Sequence, residues 1–69
     1  MKVFVVVTVA RQVEGDMLSI RFEKAFAQAS KADEYAKNLA RTYTENVTTP
    51  DGMIQFVCQR GVHEIEIEE

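Results

Sequence analysis

The 69-residue chain has one cysteine, one proline, three glycines and no tryptophan, and it is short of positive charge, with 8 basic against 11 acidic residues. Each scarcity excludes something. A single cysteine, Cys58, cannot close an internal disulfide, and no Cys/His cluster offers a zinc ligand set. The glycines, at 15, 52 and 61, are too scattered to cradle a phosphate, and no cofactor is expected. A formal net charge of −3, with the lysines and arginines dispersed, argues against a nucleic-acid partner, because phosphate contacts need a concentrated basic surface. No apolar run reaches the ~18 residues that would span a bilayer, so no membrane partner is expected. The opening "MKVFVVVTVA" has Lys2 ahead of an apolar stretch, but no small-residue cleavage site follows before "RQVEGD". It reads as a strand and not as an export signal, which gives a cytoplasmic location as the expectation.

Residues 1–69 make a single domain. A core of this size rarely supplies more than about 3–5 kcal/mol, and small domains usually add a disulfide, a metal or a partner subunit. With the first two missing, oligomerisation is the expected support. The hydrophobic share of 46% is ordinary for a globular chain.

What is present is β-branched sequence. From Lys2 to Val13, odd positions Val3, Val5, Val7 and Val9 form one apolar face, while Phe4, Val6 and Ala10 make the other only partly polar. A strand apolar on both sides belongs in the middle of a sheet. "VEGDM" supplies a turn, with Gly15 free to take positive φ. A two-residue turn would set Leu18, Ile20 and Phe22 opposite the odd valines. Ala32, Tyr35, Ala36, Leu39, Ala40 and Tyr43 follow one helix face. Ser30 with Asp33 is a capping-box pattern that starts the helix near Lys31, against a competing start near Glu23. "NVTTPDGM" is a loop in which Pro50 and Gly52 suit a turn. If Arg60-Gly61 is a hairpin tip, Ile54, Phe56 and Cys58 face Ile67, Ile65 and His63, all toward the core. The expected fold class is α+β: a ββαββ chain whose four-stranded, mainly antiparallel sheet has the order 2-1-3-4. One helix covers one face, and the last strand's glutamates protect an edge.

Several residues carry potential chemistry. Cys58 and His63, as cross-strand neighbours, have the proximity of a nucleophile and its base. Both point at the core in this register, however, and no third orienting group is visible. A small catalytic or ligand-binding domain built on them is therefore the alternative reading. Glu64, Glu66, Glu68 and Glu69 lie in a row along a strand and do not converge as metal ligands would. Tyr35 and Tyr43 belong to the helix stripe and read as packing residues. Phe4 and Val6, with Val57 and Met17 beside them, point to the sheet face that the helix leaves open, and they are the candidate interface. The primary expectation is a non-enzymatic association module, a homodimer or a binder of another protein. A single-stranded nucleic-acid binder would stack bases on sheet aromatics, but only Phe4 is well placed for that. The spacing Phe26, Ala32, Tyr35, Ala36, Leu39 resembles the hairpin-to-helix junction of many small bacterial and phage proteins. It describes packing and identifies no family.

Overall fold

The computed structural model describes residues 1–68. Its elements run β1 (Lys2–Gln12), β2 (Leu18–Phe26), α1 (Ala29–Asn38), β3 (Thr42–Thr49) and β4 (Gly52–Glu66). The ββαββ element order and the α+β class are as the sequence implies. The strands form one wholly antiparallel sheet in the order β2-β1-β4-β3. That corrects the expected 2-1-3-4. β1 is central, as its two apolar faces require, but its second neighbour is the last strand and not the third.

The first hairpin keeps the expected register. Val7 faces Phe22, Val9 faces Ile20 and Arg11 faces Leu18. Its loop is longer than two residues: the Gln12 N–H donates to the Met17 carbonyl at 3.0 Å and closes over residues 13–16. Gly15 sits there at φ 137°, where a Cβ would come within 2.7 Å of the Gln12 side chain. Further along, Val6 faces Lys24 while Val7 faces Phe22, so Glu23 is an extra residue bulging from β2.

The helix is shorter than its apolar stripe suggested. It starts at Ala29, with Gln28 as an N-cap that makes no side-chain bond, so Ser30 and Asp33 form no capping box. Leu39 is the C-cap, and Ala40 follows at φ 74°. A left-handed conformation costs an L-residue about 1–2 kcal/mol, which is why glycine usually takes this place. Arg60 holds it from a distant strand by donating to the Leu39 and Ala40 carbonyls at 2.7 and 2.6 Å. Ala40→Gly is therefore expected to stabilise the fold by about 1 kcal/mol, or ~4–8 °C in a domain this small. A thermal melt showing a lower midpoint would contradict this reading of the helix end.

After Ala40 the chain becomes β3, in a stretch assigned from sequence to helix and loop. Thr42, Tyr43, Thr44, Val47, Thr48 and Thr49 all favour a pleated surface. Thr49 pairs with Gly52 across Pro50-Asp51, the turn that those residues suggested. β4 then runs straight through Arg60-Gly61, so the expected C-terminal hairpin does not exist. Eleven consecutive residues, Phe56 to Glu66, pair with β1 from Gln12 back to Lys2. β4 is an interior strand as far as Gln59, where β3 has its last partner, Thr42. Only beyond that point is it an edge.

The helix covers the even-numbered face of β1, not the odd valines. Phe26, which faces Phe4, packs its ring 5.5 Å from that of Tyr35 on the helix. Under the helix and beside it, Val6 is 0% exposed, Thr8 1% and Ala10 4%. Ala32 and Ala36 bring the helix close, and a cluster of Ala10, Phe56 and Cys58 with Tyr43 and Ile54 continues the core.

Candidate interface

Strand alternation assigns every side chain of the sheet to one of two faces. Cys58 and His63, five apart on one straight strand, point to opposite sides. Cys58 pairs with Ala10 and is fully buried under the helix-side layer; His63 pairs with Val5 and is exposed. The arrangement therefore contains no Cys–His pair. The Cys58 thiol instead donates to the Glu45 carboxylate at 3.8 Å. With no accessible surface, Cys58 is expected to react with a thiol reagent only as fast as the native state opens. Labelling of the folded protein at the rate of a free thiol would show that the layer over it is not closed.

The four candidate interface residues separate. Phe4 and Val6 lie on the helix side, half-buried and fully buried. The sequence expectation that they face open solvent is corrected by the parity of the helix docking. Met17, 53% exposed, precedes β2 and lines a helix-side hollow of about 280 Å³ with Val47, Ile54 and Phe56. Val57 alone lies on the open face, opposite Arg11 and 43% exposed.

The open face has a different membership. β1 contributes Val3, Val5, Val7 and Val9; β2 contributes Leu18, Ile20 and Phe22; β4 contributes Val57 and Ile65. Ile20 and Phe22 are 67% and 66% exposed. Among the described residues, seven buried hydrophobic residues stand against twelve large exposed ones. Charge is distributed the other way. Among the strand residues of the open face only Arg11 carries a full charge, while Arg21, Glu23, Lys24, Glu45, Arg60 and Glu64 all fall on the helix side. Across β4 and β3 the open face continues as Gln55, Gln59, Thr42, Thr44 and Asn46, polar but uncharged. Beside Gln59, Gly61 lets the His63 ring lean back over the strand: a Cβ there would meet Nε2 at 3.4 Å.

On the helix side the charges are organised into a network that fixes the shape of the sheet. The Arg60 guanidinium pairs with Glu23 at 2.8 Å, lies 4.4 Å from the Tyr43 ring centre, and holds the two carbonyls at the helix end. The Thr8 hydroxyl donates to the same Glu23 carboxylate. The bulge in β2 is what aims Glu23 at this cluster. Nearby, Arg21 donates to Glu45 at 2.6 Å, and that bond and charge raise the arginine above its ordinary pKa. Among the described residues no buried side-chain nitrogen or oxygen lacks a partner.

Among the described residues no group of three or more His, Cys, Asp or Glu converges on a point where a metal ion could sit. Glu64 instead pairs with Lys2 and Glu66 with the N-terminal ammonium, each at 3.7 Å; Glu69 lies outside the described residues. No helix among the described residues is long and apolar enough to cross a membrane. Pattern alternation alone could have found the open face, because Leu18, Ile20 and Phe22 are plainly periodic. What the sequence concealed was which side the helix would take. Comparison with protein-family models, with curated proteins and with solved structures gave no match.

Proposed function

We propose that this protein is a non-enzymatic association module that self-assembles through the open face of its sheet. One observation supports the reading above the rest: a four-stranded face with apolar side chains on three strands and a single full charge among its strand residues. A sheet face that stays in water normally alternates to charged and polar residues, and a contiguous apolar patch marks a contact surface. A second copy suits this surface well. Packing face on face keeps the acidic groups of two −3 chains on their outer sides. Molecular extents of 47 × 25 × 16 Å leave room for a contact of about 800 Å² per partner, the size of a standard stable interface.

The test is the mass of the protein in solution, by sedimentation or light scattering across the micromolar range, for the native chain and for Phe22→Glu. The native chain is expected to be a concentration-dependent oligomer and the variant to lose the face contact. A native chain that stays monomeric throughout would remove the proposal.

A further inference from the structure

The sheet leaves three stretches of backbone without a neighbouring strand: the outer side of β2, the outer side of β3, and β4 from Gly61 to Glu66, beyond the reach of β3. Unpaired strand edges template pairing with other chains, and folded proteins usually blunt them with bulges, prolines or charge. Two of these three are blunted. β2 carries the Glu23 bulge followed by the exposed Lys24. The free part of β4 carries the exposed Glu64 and Glu66. β3 is the least protected of the three. It pairs with β4 through eight consecutive residues without a register shift, and it contains no proline and no lysine. Its one charge, Glu45, lies on the helix side and is paired with Arg21.

The hydrogen-bond phase of β3 is fixed by its neighbour. The Arg60 N–H donates to the Arg41 carbonyl at 2.7 Å, so the odd-numbered residues of β3 turn their backbone groups toward β4. Thr42, Thr44, Asn46 and Thr48 therefore present their N–H and C=O groups outward. Their side chains lie on the open face.

We infer that β3 is a second self-association site, at which β3 of another copy pairs antiparallel about a two-fold axis through Asn46. The sequence of the strand is compatible with a second copy in this register. Centred on Asn46, Thr44 faces Thr48 and Glu45 faces Val47, so no like charges meet and the threonine pairs are favourable. Centred one residue earlier, Glu45 would face Glu45. Pairing in this way merges two open faces into one continuous eight-stranded surface. Its axis is perpendicular to the sheet, whereas the axis of a face-to-face pair lies parallel to it. Where these two axes intersect, the two contacts close as a dimer of dimers. The edge contact needs nothing from the face contact and can fail separately from it.

The experiment has two readouts. Thr44→Pro removes an outward N–H while leaving the β3–β4 ladder its bonds, and Asn46→Lys sets two like charges on the axis. In sedimentation the native chain should form a tetramer, and each variant should give a dimer, with circular dichroism unchanged. Phe22→Glu should also give a dimer, by the edge, and Phe22→Glu with Asn46→Lys a monomer. The second readout is register. Cys58 is fully buried, so Asn46→Cys introduces the only accessible cysteine, and mild oxidation should cross-link it to its symmetry mate across about 5.5 Å. Thr44→Cys, several residues from its own mate, should cross-link far less. Sedimentation of Asn46→Lys identical to the native chain, or equal cross-linking of the two cysteine variants, overturns the inference. The first result with Phe22→Glu still dissociating would leave the face contact standing alone.

Discussion

Arg60→Met is expected to leave the protein largely unfolded at room temperature, with a loss of about 3–5 kcal/mol, the range seen when one partner of a buried ion pair is removed. The side chains of Arg60 and Glu23 are only 12% and 19% exposed, so the remaining carboxylate would keep the Thr8 hydroxyl but lose its counter-charge. The same change frees the two carbonyls at the helix end and uncovers the Tyr43 ring. A loss of that size equals the whole contribution expected from a core this small, about 3–5 kcal/mol. Urea titration followed by circular dichroism, at one fixed protein concentration, measures it directly. Replacing Glu23 with Met as well should recover a substantial part, because an apolar pair needs no desolvation, while the loss at the helix end would persist. If Arg60→Met stays within 1 kcal/mol of the native protein, the network is not what joins the helix end to the sheet. Arg21–Glu45 gives the contrast. Both side chains are more than a third exposed, and such pairs are worth about 0–1 kcal/mol.

Phe22→Glu should weaken association at the face by about a thousandfold or more and leave the folded protomer intact. A large apolar side chain contributes about 2 kcal/mol on burial, and a two-fold contact loses it twice, which is about three decades in the dissociation constant. Desolvating two carboxylates against apolar partners adds to this. The fold should survive because Phe22 is 66% exposed and its departure opens no cavity. Glu64→Gln, on the helix side and likewise exposed, serves as the control that should change little. An equal loss of association in both variants would indicate general charge effects and would move the contact off the open face.

The sequence is informative where the physics is local. The register of the first hairpin follows from alternation, the turns at Gly15 and at Pro50 to Gly52 from backbone chemistry, and the central place of β1 from its two apolar faces. It misleads where a distant residue decides. The helix stripe runs on to Tyr43 on paper, and neither glycine nor proline ends it. It ends at Asn38 because the Arg60 side chain, twenty residues downstream, holds Ala40 in a left-handed conformation. Gly61 reads as a turn, yet it serves as a flat place in a long strand under the His63 ring. The choice of helix face is balanced locally, since both sides of β1 are apolar. It is decided by Ala10 and Cys58 beneath the helix-side layer and by the Glu23–Arg60 pair. The exposed face differs from the expected one for that reason: Phe4 and Val6 share a face, as alternation gives, and it is the face that the helix covers.

The pairing of β1 with β4 also bears on how the chain reaches its fold. Lys2 meets Glu66 and Val3 meets Ile65, so the central ladder joins residues separated by nearly the full length of the chain. Contacts of such long sequence separation must close a large loop before they are rewarded, and they slow folding. A growing polypeptide can form the first hairpin and the helix early, but β1 stays open along one side until β4 has left the ribosome. During that interval a valine-rich strand offers its backbone to any neighbour, so the newly made chain passes through its most aggregation-prone form just before it becomes able to fold.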